Sequence, residues 1–278
     1  MSAGFRVVQA PMANNHPPSL AAAVSNAGAL GSIAGAALSA DELRAAIREV
    51  RSLTDRPFAV NLFAPPYLRD DSLAVVLEQR PAVFSFTFGV VDPAPLHEAG
   101  IEVFGTATSP EEAHVLADAG VDAVVAQGAE AGGHRGSFLD GFPLIPLAEL
   151  VPAISGVPVI ASGGIVARED VRAARELGAV GVQVGTAFLF TPEAGRPREH
   201  LEALRTYDTV VTDAYTGRPM RAASNSLLLA LIEEGQPTLP FPEQRKLSAA
   251  RGPLYMGGTG ARRAREQTVA ELVAELCA

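Results

Sequence analysis

Eight short runs of β-branched and aromatic residues punctuate this chain, and most of the gaps between them read as helix. The runs lie at residues 5–10, 29–33, 58–63, 83–88, 102–107, 122–127, 157–162 and 179–185. Stretches rich in Ala, Leu, Glu and Arg fall between them, near 19–27, 40–53, 70–79, 93–99, 110–119, 147–154 and 167–177. Strand alternating with helix predicts a parallel sheet covered on both faces, because parallel neighbours need a crossover that packs back onto the sheet. Eight is also the number of strands that closes a (β/α)8 TIM barrel. The competing open, doubly wound sheet would carry a glycine fingerprint after its first strand. Gln9-Ala10-Pro11-Met12-Ala13 stands there instead, so the barrel is preferred. Local signals agree: Ser109-Pro110-Glu111-Glu112 combines a capping serine, a first-turn proline and two acids, while Gly100, Gly120 and Gly178 stand where helices should stop.

The rhythm breaks near residue 192. Residues 192–258 are richer in Pro, Arg and Glu, hold one strong helical stretch at 225–234 and lack convincing strands. They are expected to form a small helical segment over the barrel mouth, with residues 1–191 and 259–278 making the barrel and a last helix at 260–276.

Hydrophobic residues make up 48% of the 278 residues and charged ones 19%, enough to build a sizeable core. The apolar runs are too short to cross a bilayer. The start, Met1 to Arg6, lacks a basic segment and an apolar stretch of signal-peptide type. A single cysteine, Cys277, excludes an internal disulfide and any cysteine metal cage, and no Asp/Glu/His set has metal-ligand spacing. The net charge of −9 argues against nucleic acid or anionic membrane as partner. The basic cluster Arg262, Arg263 and Arg265 is read as the solvated face of the last helix. A soluble cytoplasmic protein is expected, with a homodimer left open.

In a barrel the C-terminal ends of all strands open on one mouth, so their residues are read together. The first strand ends in Pro11-Met12-Ala13-Asn14, the third in Val60-Asn61-Leu62-Phe63, the fourth in Ser85-Phe86-Thr87-Phe88. The sixth ends in Gln127 and opens into Gly128-Ala129-Glu130-Ala131-Gly132-Gly133-His134-Arg135-Gly136. The seventh gives Ser162-Gly163-Gly164 and the eighth Gln183-Val184-Gly185-Thr186. Glycines after the last two strands expose backbone N–H groups, the usual phosphate cradle of such barrels. The amides of Asn61, Gln127 and Gln183 suit a heterocycle better than a metal. His134 can exchange a proton near neutral pH.

At these residues the chain resembles the nitronate monooxygenases, also called 2-nitropropane dioxygenases. Gln127-Gly128-x-Glu130-Ala131-Gly132-Gly133-His134 is similar to their signature. The likeness continues in Gln9-Ala10-Pro11-Met12, in the stretch from Ala21 to Gly31, in Val60-Asn61-Leu62-Phe63 and in Gln183-Val184-Gly185-Thr186-Ala187-Phe188. The resemblance implies a TIM barrel with non-covalent FMN. It places Met12, Asn61, Gln127, Gly132, Ser162, Gly163, Gly164, Gln183, Val184, Gly185 and Thr186 at the cofactor, and His134 as catalytic base. The implied reaction takes a nitroalkane or its nitronate, with O2, to a carbonyl compound and nitrite. The loop Asn14-Asn15-His16-Pro17-Pro18 departs from the family pattern, which leaves the substrate less defined than the cofactor.

The rival is an FMN-dependent NAD(P)H reductase of the same superfamily, an enoyl-ACP reductase with a similar Glu-Ala-Gly-Gly-His loop or a quinone reductase. A Schiff-base aldolase is poorly supported, since the only lysine, Lys246, is far from any strand end. Among secondary candidates, Arg135 could touch an anion, His16 could reach the mouth, Ser85 or Phe86 could edge the pocket, and residues 255–260 could close over the flavin. Glu130 is read as a loop charge, and His97, His114 and His200 are expected on the surface.

Overall fold

The computed structural model describes residues 6–12, 17–235 and 239–278, so the stretch Asn14, Asn15 and His16 lies outside the described residues. All eight expected strands form, as β1 (Arg6–Gln9), β2 (Gly31–Ala34), β3 (Phe58–Phe63), β4 (Val83–Thr87), β5 (Glu102–Ala107), β6 (Ala123–Gln127), β8 (Val159–Ser162) and β9 (Gly181–Val184). A further two-residue strand, β7 (Gly133–His134), lies outside the barrel. The sheet runs β1-β9-β8-β6-β5-β4-β3-β2, parallel at each junction. A parallel bridge between Val8 and Leu30, with Gln9 N–H donating to Leu30 O at 2.8 Å, joins the first strand to the last and closes the ring.

The crossovers are α1 (Pro18–Asn26), α2 (Ala40–Leu53), α3 (Asp70–Gln79), α4 (Ala94–Glu98), α5 (Pro110–Asp118), α6 (Leu147–Ala153), α7 (Arg168–Glu176) and the one-turn α8 (Thr186–Leu189). Their ends have local causes. Ser39 and Glu42 form a reciprocal capping box on α2, and Ser109 accepts from Glu112 N–H on α5. Gly100, Gly120 and Gly178 stop α4, α5 and α7 at φ of +78°, +90° and +103°, a backbone region that favours glycine.

The barrel interior is filled by Val8, Leu30, Ala59, Val83, Phe104, Ala123, Val125 and Ile160. Side chains alternate along a strand, so residues two further along each strand must face inward as well. Counting by twos from this layer reaches Ala10 and Met12, Asn61 and Phe63, Ser85 and Thr87, Thr106, Gln127, Ser162, and from Gly181 reaches Gln183 and Gly185. The apolar core therefore turns into a polar ring at the C-terminal ends by simple parity.

Residues 192–258 hold the helices α9 (Arg198–Thr206), α10 (Ser226–Glu233) and α11 (Glu243–Ala249). They also hold two strands that were not expected, β10 (Thr209–Thr212) and β11 (Met220–Ala223), antiparallel to each other. Each has only four residues, and β10 is half-buried at every position, so neither carries a readable alternation. The tail is also broken in two: a 3-10 turn at Thr259–Arg263 precedes α12 (Val269–Cys277), which starts on a Thr268/Glu271 capping box. Arg262, Arg263 and Arg265 accordingly sit ahead of the last helix, paired with Asp208, Asp170 and Glu275. Among the described residues no helix is long and apolar enough to cross a membrane, and no acid, histidine or cysteine cluster could hold a metal.

Candidate active site

At the C-terminal ends of the strands a cavity encloses about 1270 Å³ of empty space, counting its open mouth. The inward parity derived above fills its floor. Ala10, Met12, Asn61, Phe63, Thr87, Thr106, Gln127, Ser162, Gln183 and Gly185 all line it. Gly132, His134, Gly163, Gly164 and Thr186 complete the part expected from sequence. Val184 is the exception: it is one residue out of phase, 1% exposed, and packed in the core among the helices. Only its backbone faces β1, where its carbonyl accepts from Ala10 N–H at 2.8 Å.

The His134 loop is tied down from four sides. Gln127 clamps it with both ends of its amide, Nε2 donating to His134 O at 3.0 Å and Oε1 accepting from Gly136 N–H at 2.8 Å. Arg135 is fully buried and donates to Gly128 O at 2.7 Å and Gln127 O at 2.8 Å. It holds carbonyls that the end of β6 would otherwise leave unpaired, and it is not an anion ligand. Arg221 of β11 donates to Ala129 O at 2.7 Å, while the buried Glu112 accepts from Phe138 N–H and Leu139 N–H. Finally, β7 pairs with β11, Met220 lying opposite His134. Glu130 is more than a loop charge, since its carboxylate accepts from Leu147 N–H at the start of α6.

So held, His134 presents its ring to the cavity beside three aromatic neighbours. Phe241 lies 5.1 Å and Phe88 6.1 Å away, both edge-on, and Phe63 stacks on Phe88 at 4.5 Å. Phe88 takes a left-handed backbone conformation, φ +77°, that costs a bulky residue of order 1–3 kcal/mol and tends to mark functional sites. The Nε2 atom of His134 is buried and has no hydrogen-bond partner among the described residues. Burial, with Arg245 and Arg218 nearby, lowers its pKa to about 3, so the imidazole is neutral at physiological pH.

The opposite wall is a strap that runs from Tyr255 to Gly260. Gly257 and Gly258 cross so close to Gly132 that a Cβ there would meet Gly257 C and Gly258 N at 2.5 Å. Gly258 N–H donates to Thr186 Oγ1 at 2.9 Å, and Thr259 N–H donates to Glu130 O at 3.0 Å. Tyr255 donates to Glu199 of α9, and His200 Nε2–H donates to Met256 O at 2.9 Å. His200 was expected on the surface. It is 9% exposed and lines the cavity with Arg196, one turn earlier. His97 and His114 do remain at the surface, near Asp122 and Asp118. Ser85 is buried and accepts from Asn61 Nδ2 at 3.0 Å, whereas Phe86 is fully enclosed.

Among the described residues the cavity lining holds two arginines, two histidines and no Asp or Glu. Arg196, His200 and Arg245 had no sequence signal beyond lying in the segment that breaks the rhythm. A closed parallel barrel whose strand ends open on one cavity is the arrangement of a TIM-barrel enzyme.

This chain belongs to the nitronate monooxygenase family, whose model matches residues 1–73 and 67–278. It is 39% identical to a nitronate monooxygenase of Pseudomonas aeruginosa over 97% of this chain and 94% of that one. Among solved structures it is similar to nitroalkane oxidase from Streptomyces ansochromogenes, with TM-score 0.89, 36% identity, and coverage of 98% of this chain and 94% of the other. It is also similar to FabK from Thermotoga maritima, with TM-score 0.81, 31% identity, and coverage of 98% and 91%. The protein is thus an oxidoreductase of the nitronate monooxygenase family.

Proposed function

We propose that this protein oxidises alkyl nitronates, and nitroalkanes after removing their α-proton, with O2 to a carbonyl compound and nitrite on a non-covalent FMN. The observation that carries the reading is a neutral histidine, its Nε2 buried and unpartnered, in the lining of a cavity that contains no carboxylate among the described residues. The lining fits the cofactor. Gly163 and Gly164 line the cavity with φ of +133° and +71°, and a Cβ on Gly163 would meet Ala131 N at 3.0 Å, so the turn there favours glycine over any side chain. These two glycines with Gly185 and Thr186 would hold the phosphate. Met12, Asn61, Gly132, Ser162, Gln183 and the Val184 backbone would surround the ring system. Gln127, already spent on the loop, would act chiefly by fixing His134.

A bound FMN would supply the electron-accepting chemistry and its reoxidation by dioxygen. The protein's own residues orient the substrate and take up its proton. His134 takes the proton from the carbon next to the nitro group of a neutral substrate; a nitronate arrives without it and needs no base. Phe63, Phe88 and Phe241 exclude water around that carbon. Residues 192–258 act as a cover for the barrel formed by 1–191 and 259–278, contributing Arg196, His200 and Arg245 to the wall.

The rival activity is reduction by NAD(P)H. The purified protein is expected to show a flavin spectrum, with FMN released on denaturation, and to keep its visible absorbance for minutes when mixed anaerobically with NADH. Rapid bleaching would favour the reductase, and a colourless protein that takes up no FMN would remove the cofactor assignment.

A further inference from the structure

Two guanidinium groups act electrostatically on His134, and they differ in their bonding. Arg218 is engaged: it stacks on Phe88 at 3.9 Å and donates to the carbonyls of Arg135 and Ser137. Arg245, reaching the cavity from α11, is half-buried and makes no hydrogen bond or ion pair with any described residue. A half-buried guanidinium whose five donors have no protein acceptor is free to take one from a ligand. Among the described lining residues there is no carboxylate to pair with it.

We propose that Arg245 is the specificity-determining residue that receives the two oxygens of the nitronate head group, so that the site selects the anion over the neutral nitroalkane. This inference rests on nitronate oxidation being the reaction. The geometry separates two anionic demands. Gly163 and Gly164 after β8, with Gly185 after β9, would serve a phosphate. Arg245 stands with His134, Phe63 and Phe88 around the place where a substrate carbon must lie. A planar nitronate matches the planar fork of a guanidinium, which can donate to both oxygens at once. The same cation disfavours the imidazolium of His134, which hinders deprotonation of a neutral substrate. Its removal therefore weakens anion binding and improves the base, two effects that push selectivity in one direction.

The test uses the FMN-loaded wild type, Arg245→Met and Arg245→Lys. Two quantities are read: the ratio of kcat/KM for ethylnitronate to that for nitroethane, and the affinity for sodium nitrate, a planar anion of similar shape, titrated by its effect on the flavin absorbance. For R245M the ratio is expected to fall about 10- to 100-fold, the range of a lost charged hydrogen-bond partner, mostly through a higher KM for ethylnitronate. Nitrate affinity should fall at least about tenfold, and R245K should recover much of both. An unchanged ratio with unchanged nitrate affinity would overturn the assignment while leaving nitronate oxidation intact. A wild type that binds nitrate through Arg245 but releases no nitrite from ethylnitronate would instead overturn the reaction and leave the anion site standing.

Discussion

Replacing His134 by asparagine is expected to lower kcat/KM for neutral nitroethane by roughly 10²- to 10⁴-fold, the range of a lost general base. Ethylnitronate turnover should fall by less than about fivefold, since its proton is already gone and the base contributes nothing further. Steady-state rates of nitrite release on the two substrates read this split. The pH dependence of the wild type adds a second reading. Because kcat/KM reports the free enzyme and His134 sits at about 3 there, the base is neutral above pH 4. The nitroethane profile should be flat from pH 8 down to 5, with no limb at the 6.5 of an unperturbed imidazole. In kcat, which reports the enzyme–substrate complex, the limb should lie no higher, because a bound neutral nitroalkane adds to the burial of the ring. Equal loss on both substrates in H134N, or an acid limb near 6.5 that disappears with it, would contradict the account of this residue.

The second large effect is expected at Gly132. A methyl group there would press on backbone of the strap, at 2.5 Å from both Gly257 C and Gly258 N, and neither neighbour has a flexible side chain that could yield. Overpacking of this kind costs about 1–3 kcal/mol. Its local consequence is larger than its global one. The strap is anchored by Gly258 N–H to Thr186 and by Thr259 N–H to Glu130 O, so moving it disturbs the His134 loop and the helix start at β9 together. Gly132→Ala should therefore fold with a lowered melting temperature and lose FMN on gel filtration under conditions where the wild type stays yellow. Activity should be recoverable in part by excess FMN. A variant with native cofactor affinity would show that the strap is free to move away.

The barrel was legible because its information is local and repeated. Ser39 with Glu42, Ser109 before Pro110, and glycines at positions 100, 120 and 178 mark helix ends within a few residues. Parity along each strand then places Asn61, Gln127, Ser162 and Gln183 inward without any knowledge of the mouth, and it explains why Val184, adjacent to two cavity residues, faces the other way. That residues 192–258 lie over the mouth was expected from the break in rhythm, but which of their side chains reach the cavity was not legible. His200 and Arg245 reach the cavity only because α9 and α11 fold back over the strand ends, a long-range arrangement with no periodic signature. At Arg135 the sequence left a loop charge and an anion contact both open; its Nη1 and Nη2 groups are used on the carbonyls of Gly128 and Gln127. The strands β10 and β11 have no sequence signature because each is only four residues long, one half-buried throughout and the other buried at all but one position, so neither displays an alternating pattern.

The most direct measurement of the central claim is aerobic incubation of the FMN-loaded protein with ethylnitronate, following nitrite and dissolved oxygen together. The account predicts catalytic nitrite release with oxygen consumed in step, without any added NAD(P)H. No nitrite above the uncatalysed rate, from a protein whose flavin is bleached at once by NADH, would contradict it.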